Sequence, residues 1–346
     1  MKKNILKIFI VTSILGTVLS ACEDEKSLSP SVAEITPAQG ASNELLTLTG
    51  SDLNDIVTIY FETNNVKAEF NPNFNTGGAI LFRVPAEAVP GQQNIVLTNR
   101  GGTQLTVPFN VLGFADVTDV TTYNFQENTE ITLTGKNLAD VEQVVFTGTT
   151  TEVPILSKTA TSLTLKFPAT TLTETTLTIT NAAGDATPAQ SFVAIDNAFK
   201  LFTDDYGAGY QDASWGPSGI TTTVFKNGSA SKFISYNKGN WSQDGFGWTD
   251  TPNDGYKFLS FYIKGGSQDY NLYIWSAAQP GGFDTYEDFK KIVVPAEVWT
   301  YFKIPVSTLK LWGENGTTSW NQMGWRIQGP DSQDETFHLD DVIFIK

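Results

Sequence analysis

The 346-residue chain contains one cysteine, one histidine and two methionines. A single thiol cannot close an internal disulfide, so no stapled framework is available. No GxSxG, HExxH, phosphate-binding loop or cluster of metal ligands occurs. Basic residues are scarce: 22 Lys and Arg stand against 37 Asp and Glu, for a formal charge of −15. That balance opposes nucleic acid and anionic surfaces as partners, favours solubility, and counts against polyanionic polysaccharides. No long stretch carries a helical period, and the apolar run from Ile8 to Leu19 is short for a transmembrane helix.

The chain opens with a positive segment, Lys2, Lys3 and Lys7, followed by that apolar run and the small residues Ser20 and Ala21 before Cys22. This order reads as an export signal with a cleavage site. Leu19-Ser20-Ala21-Cys22 resembles a bacterial lipobox, in which the thiol of Cys22 is acylated and becomes the new N-terminus. Each buried CH2 of an acyl chain adds about 0.8 kcal/mol, so several chains together anchor firmly. Residues 22–30 are polar and breaker-rich, as suits a tether, and Glu23, Asp24 and Glu25 resemble the surface-export signal of Bacteroidota lipoproteins. Loss of residues 1–21, with three lysines and no acid, leaves −18. The expected location is the cell surface, lipid-anchored to the outer membrane.

Two segments match without a gap, TLTGSDLNDIVTIYF from Thr47 and TLTGKNLADVEQVVF from Thr132. FRVP at 82 pairs with LKFP at 165, and LTNRGG at 97 with ITNAAG at 179. Each unit has short runs of Val, Ile, Thr and Phe punctuated by Gly, Asn and Pro, the mark of a small β-sandwich. ITPAQGASNELLTLTGSDL from Ile35 resembles the opening of an IPT/TIG domain, an immunoglobulin-like sandwich. The copies are placed at 31–113 and 114–197, and the resemblance implies a spacer or protein-contact role.

Composition changes near residue 198. All eight tryptophans, nine of eleven tyrosines and the single histidine, His338, lie beyond it, and net charge falls from −13 over 22–197 to −5 over 198–346. Alternation in KFLSFYIKG puts Leu259, Phe261 and Ile263 on one face, with Ser260, Tyr262 and Lys264 on the other. YNLYIWSA divides Tyr270, Leu272 and Ile274 from Asn271, Tyr273 and Trp275. MGWRIQG turns Trp325 and Ile327 inward, and Arg326 and Gln328 outward. Many strands in roughly 150 residues predict two packed antiparallel sheets. The chain is therefore expected to be all-β, two immunoglobulin-like sandwiches followed by a jelly-roll sandwich over 198–346.

Sugars present flat C–H patches ringed by hydroxyls. Aromatic faces match the patches, at about 0.5–1.5 kcal/mol per ring beyond area burial, while amides and Arg match the hydroxyls. The predicted outer face offers Asn271, Tyr273, Trp275, Arg326 and Gln328. Loops at 240 and 311 add Trp241, Trp312 and Trp320, rings that either line a site or plug a sandwich end. Trp275 has two readings, binding or core. Trp299 and Trp325 are assigned to the core, Trp248 to a structural position beside Phe246, and Trp215 in ASWGPSG to neither.

FTDD at 202, NGSASKF at 227, LSFYIKG, VWTYFKIPVSTL at 298 and FHLDDVIF together resemble the jelly-roll carbohydrate-binding modules. With the lipobox and tandem sandwiches, the whole chain resembles Bacteroidota surface glycan-binding lipoproteins. That resemblance implies capture of a neutral polysaccharide, a β-glucan such as laminarin or xyloglucan, for a SusC/SusD-type importer. It requires no cofactor but allows a structural calcium. In related jelly rolls a last-strand aspartate, an early acidic residue and a Gly-Ser loop hold that ion; here Asp205 or Asp204, the backbone near Gly228, and Asp341 or Asp340 would supply oxygens. A solvated acidic strand end is the other reading of the same residues.

Two other classes remain. Glycoside hydrolysis needs two carboxylates across the scissile bond, and the 17 acidic residues of the last domain form no such motif. His338, beside two aspartates, reads as an exposed or cross-strand histidine. The second class is an adhesin whose aromatics contact protein.

Overall fold

The computed structural model describes residues 29–346 except Ala208, Gly329 and Asp331. Its chain divides into two compact units after Leu112. Cys22 and the export segment lie outside the described residues.

In the first unit, strands Ser31–Thr36, Leu45–Ser51 and Ala79–Arg83 form one sheet. The other holds Gln39–Ala41, Gln104–Leu112, Gly91–Asn99, Ile56–Phe61 and Val66–Lys67, in that spatial order. Alternate residues of the two sheets, among them Leu46, Leu48, Ile59, Phe61, Ile80, Leu97 and Phe109, meet as the core.

The internal repeat has a backbone cause. A Cβ on Gly50 would lie 1.9 Å from the Ser31 carbonyl oxygen, and one on Gly135 would lie 1.8 Å from that of Asp116. Only glycine permits the neighbouring strand so near. Two residues on, Asp52 and Asn137 both adopt left-handed φ, 55° and 57°. The paired asparagines Asn99 and Asn181 are buried, and each side chain accepts a backbone N–H of the turn that follows it, from Thr103 at 2.8 Å and from Ala183 at 2.9 Å.

The second unit begins with the repeat's second sandwich. Ile155–Lys158, Ser162–Lys166, Glu130–Lys136 and Asp116–Val120 make one sheet, facing Gln143–Phe146, Leu177–Asn181 and Gly184–Ala186. Phe125, Phe146, Phe167 and Phe192 pack through its core with ring centroids 4.7–5.8 Å apart.

The last domain has eleven strands among the described residues. They are β1 (Phe199–Phe202), β2 (Gln211–Asp212), β3 (Ser218–Thr221), β4 (Ser231–Tyr236), β5 (Trp241–Thr251), β6 (Phe258–Lys264), β7 (Tyr270–Ser276), β8 (Lys291–Val294), β9 (Trp299–Pro305), β10 (Trp320–Gln328) and β11 (Glu335–Ile345). The back sheet runs β3-β4-β11-β6-β9, with β1 also on β11, and the front sheet runs β2-β5-β10-β7-β8. Leu259, Phe261 and Ile263 meet Leu272, Ile274, Trp325 and Phe246 between them, as the alternation predicts.

The other face of β6 is buried too, because the second sandwich covers it. The Tyr262 hydroxyl accepts the Tyr123 backbone N–H at 2.6 Å and lies 3.1 Å from Thr122 Oγ1. Tyr123 stacks on Tyr301 at 4.6 Å, Lys303 pairs with Glu174, and Val193 packs with Ile343 and Ile345. The back sheet is thereby occupied within the chain. Among the described residues, these contacts with the second sandwich are made by the back sheet.

Candidate functional site: an aromatic groove on the front sheet

Register places the outward residues of the front sheet in rows. Gln243, Arg326 and Tyr273 align across β5, β10 and β7, as do Gly245, Gly324 and Trp275. Trp241 pairs with Gln328 at the end of the sheet. Alternation places Asn271, Tyr273, Trp275, Arg326 and Gln328 at backbone positions on one face, and Trp241, expected in a loop, begins β5 on that same face.

Their environments differ. Trp241 is 48% exposed and Asn271 is exposed, with Tyr273 half-buried. The Arg326 guanidinium lies 5.2 Å from the Trp215 ring, 5.4 Å from Trp241 and 5.7 Å from Tyr286. Three chain segments thus bring rings to one cation, at distances where the ring quadrupole attracts it. Arg326 is only 7% exposed and donates from Nη1 to the Phe283 carbonyl, so its role is to gather rings more than to face solvent.

Trp275 does point outward but is buried. The loop between β7 and β8 folds back over it, setting the Phe283 ring 3.6 Å from the indole. Opposite it stand Gly324 and Gly245; a Cβ on Gly245 would lie 2.5 Å from the Ala213 carbonyl oxygen, so glycine there admits the segment leading to Trp215. Phe283 in turn stacks on Trp215 at 5.6 Å. Tyr286 from the same loop meets Trp241 at 4.9 Å and Tyr273 edge-on at 4.8 Å.

Beside these rings is a groove of about 540 Å³ lined by Trp241, Asp269, Tyr270, Asn271, Tyr273, Tyr286 and Ile327. Its volume falls in the range of small-ligand sites, and its lining mixes aromatic faces with a few polar groups. Asp269 is the one carboxylate among those residues, and its Oδ1 accepts the Ala296 N–H at 2.9 Å. No second carboxylate is among the described lining residues.

Trp215 was indeterminate in sequence; the structure gives it a place. Its backbone N–H donates to Gln243 at 2.9 Å, docking the segment against β5. The preceding Ser214 is held from below: Lys232 Nζ donates to its Oγ at 2.7 Å while pairing with buried Asp244. Asp212 stands 3.3 Å from the same ammonium. The indole, 42% exposed, rides on this buried polar anchor.

Other expected site residues lie elsewhere. Trp312 and Trp320 are core residues. They plug the sandwich end, where Trp312 donates from Nε1 to the Thr251 carbonyl at 2.9 Å and packs on Phe344 at 5.0 Å, with Trp320 5.9 Å away. Trp248 is 61% exposed, because β5 is irregular between Gly247 and Thr251 and the alternation that would bury it breaks there. Trp299 leaves the core as well, being half-buried on the outer face of edge strand β9, 6.4 Å from His338. His338 is cross-strand, and burial first, with Lys264 second, pushes its pKa down to about 4.

The carboxylates expected to hold calcium are each engaged by N–H donors. Asp205 gives its carboxylate to the Tyr206 N–H at 2.8 Å. Asp204 accepts from Ser229 and Ala230, Asp340 from the N–H groups of Lys226 and Asn227 at 2.7 and 3.1 Å, and Asp341 from the side-chain amides of Asn124 and Asn227 at 3.0 and 2.5 Å. Calcium takes six to eight oxygens; these carboxylates meet N–H donors, while Asp340 Oδ1 is buried without a partner among the described residues. Among the described residues no group of three His, Cys, Asp or Glu side chains is placed to hold a metal ion. Burial raises the Asp340 and Asp341 pKa values, with the Asp341 charge adding to the first and the Asp204 charge to the second.

Comparison with known proteins adds the following. Residues 30–111 match the IPT/TIG domain family. No curated protein matches the chain. Among solved structures, the chain is similar to SGBP-B from a complex xyloglucan utilization locus in Bacteroides uniformis, with 18% identity over 92% of this chain and 100% of that chain and a TM-score of 0.45. It is similar to the surface glycan-binding protein PbSGBP-B from Prevotella bryantii, with 15% identity over 92% and 99% and a TM-score of 0.48. A third is the family 11 carbohydrate-binding module from Clostridium thermocellum in complex with a mixed-linked tetrasaccharide, with 15% identity over 43% and 95% and a TM-score of 0.30.

Proposed function

We propose that the protein captures a neutral polysaccharide through the aromatic groove of its last domain. The observation that carries this reading is the gathering of Trp215, Trp241 and Tyr286 round Arg326, beside a groove of about 540 Å³. Half-exposed rings offer faces for sugar C–H patches, while Asn271, Asp269 and the Tyr273 hydroxyl suit the surrounding hydroxyls. Arg326 is largely enclosed, so a ligand meets little positive charge, which suits an uncharged chain.

The sequence resemblance to surface glycan-binding lipoproteins makes a β-glucan, such as laminarin or xyloglucan, the ligand to try first. In this reading acylated Cys22 holds the protein to the outer membrane, the sandwiches space the groove from the lipid, and a SusC/SusD-type importer receives the glycan. Calorimetry against a panel of soluble glycans, with a reducing-end assay on the same mixtures, tests it. Binding without new reducing ends supports capture. New ends mean an enzyme, and no binding to any glycan leaves the adhesin reading.

A further inference from the structure

The roof of the groove has an unusual fastening. Lys290, at the foot of the loop between β7 and β8, is completely buried. Its Nζ donates to the Pro280 carbonyl at 3.3 Å, the Gly282 carbonyl at 3.1 Å and Thr285 Oγ1 at 2.5 Å. All three acceptors belong to the loop itself, and none is a carboxylate. Arg326 takes the intervening Phe283 carbonyl. Four oxygens at positions 280, 282, 283 and 285 therefore turn towards two cations, a curl that successive left-handed glycines, Gly281 and Gly282, make possible.

A buried ammonium hydrogen-bonded only to neutral oxygens is costly, and burial lowers the Lys290 pKa, with the Glu287 charge opposing and Arg326 adding to the effect. The fastening has a visible consequence. It fixes the two residues on either side of it, Phe283 over Trp275 and Tyr286 against Trp241 and Tyr273.

We propose that Lys290 is a positioning residue for glycan binding: from beneath the loop it sets Phe283 and Tyr286, and so fixes the width of the groove that receives the sugar. This rests on the capture reading. Lys290 itself does not line the groove; it acts through Tyr286, which does.

The test uses the full chain, calorimetry against the panel glycan that the wild type binds, and thermal melts. Lys290→Met keeps the stem and removes the charge and donors; Thr285→Val removes one acceptor with little change of shape. Both are expected to weaken binding, Lys290→Met by about tenfold, on the scale of one misplaced ring. The distinguishing readout is a double-mutant cycle with Tyr286→Ala: once that ring is gone, Lys290→Met should cost almost nothing further. Wild-type affinity in Lys290→Met, or a full additional loss in the Tyr286→Ala background, overturns the proposal. If Lys290→Met does not fold, Thr285→Val decides, and unchanged affinity in it counts against the proposal. A wild type that binds no glycan sinks the capture reading and this proposal with it. A wild type that binds while the variants match it sinks this proposal alone.

Discussion

Two tryptophans on one face of the front sheet should respond oppositely to truncation. Trp275 is buried beneath Phe283, whereas Trp241 is half exposed at the groove. Trp275→Ala empties a large enclosed space, and such changes cost about 3–5 kcal/mol. In a cooperative unit of 150–250 residues each kcal/mol moves the melting temperature by about 2–4 °C, so a drop of about 6–20 °C is expected. Trp241→Ala removes no enclosed packing of that kind, and its stability effect should stay within about 0.5 kcal/mol. Differential scanning calorimetry of both variants reads the contrast directly. If Trp275→Ala melts within about 2 °C of the wild type, the reasoning that places its indole under the loop is wrong.

The joint between the second sandwich and the last domain predicts that Tyr262→Phe, which leaves the Tyr123 N–H without its acceptor, costs about 1–3 kcal/mol in a denaturant melt; no change would mean that water replaces the hydroxyl. The Asp340 pKa is raised in the folded state, so its contribution is fully present below the unfolded value and is lost as pH rises through the folded one. Asp340→Asn should therefore gain stability relative to the wild type as melts move from about pH 5 to pH 9, and a difference constant with pH would contradict the raised Asp340 pKa. His338 works in the reverse sense, its contribution being present above the unfolded value and lost as pH falls through about 4. His338→Gln should thus flatten the acid limb of the same melts, and an unchanged acid limb would contradict burial of a neutral ring. Glycan affinity should vary less than about twofold between low and high salt, because exposed charge is what salt screens; a steep loss would point to an anionic ligand.

Much of this was legible from local pattern. Period-two alternation assigned Leu272, Ile274, Trp325 and Ile327 to the interior and Asn271, Tyr273 and Arg326 to the outer face, because a strand's side chains alternate whatever lies above them. The offset repeat likewise exposed the two sandwiches through Gly50 and Gly135, whose constraint is one close backbone approach. What alternation cannot report is what covers a face. Trp275 was lost to a loop held by Lys290, Tyr262 to another sandwich, and Trp312 and Trp320 to a sandwich end closed by Phe344. Trp215 needed pairing with Gln243, and Tyr286 needed the loop's return; both are long-range contacts with no local signature. A lysine directly ahead of a strand, following a Gly-Gly loop rich in aromatics, was the one available hint of the roof.

The most direct measurement is titration calorimetry of the wild type, Trp241→Ala and Trp215→Ala against soluble β-glucans. The account predicts wild-type binding, a loss of about 2 kcal/mol or roughly thirtyfold in Kd for Trp241→Ala, and a clear loss for Trp215→Ala, with melts unchanged. Wild-type affinity retained in both variants would contradict it.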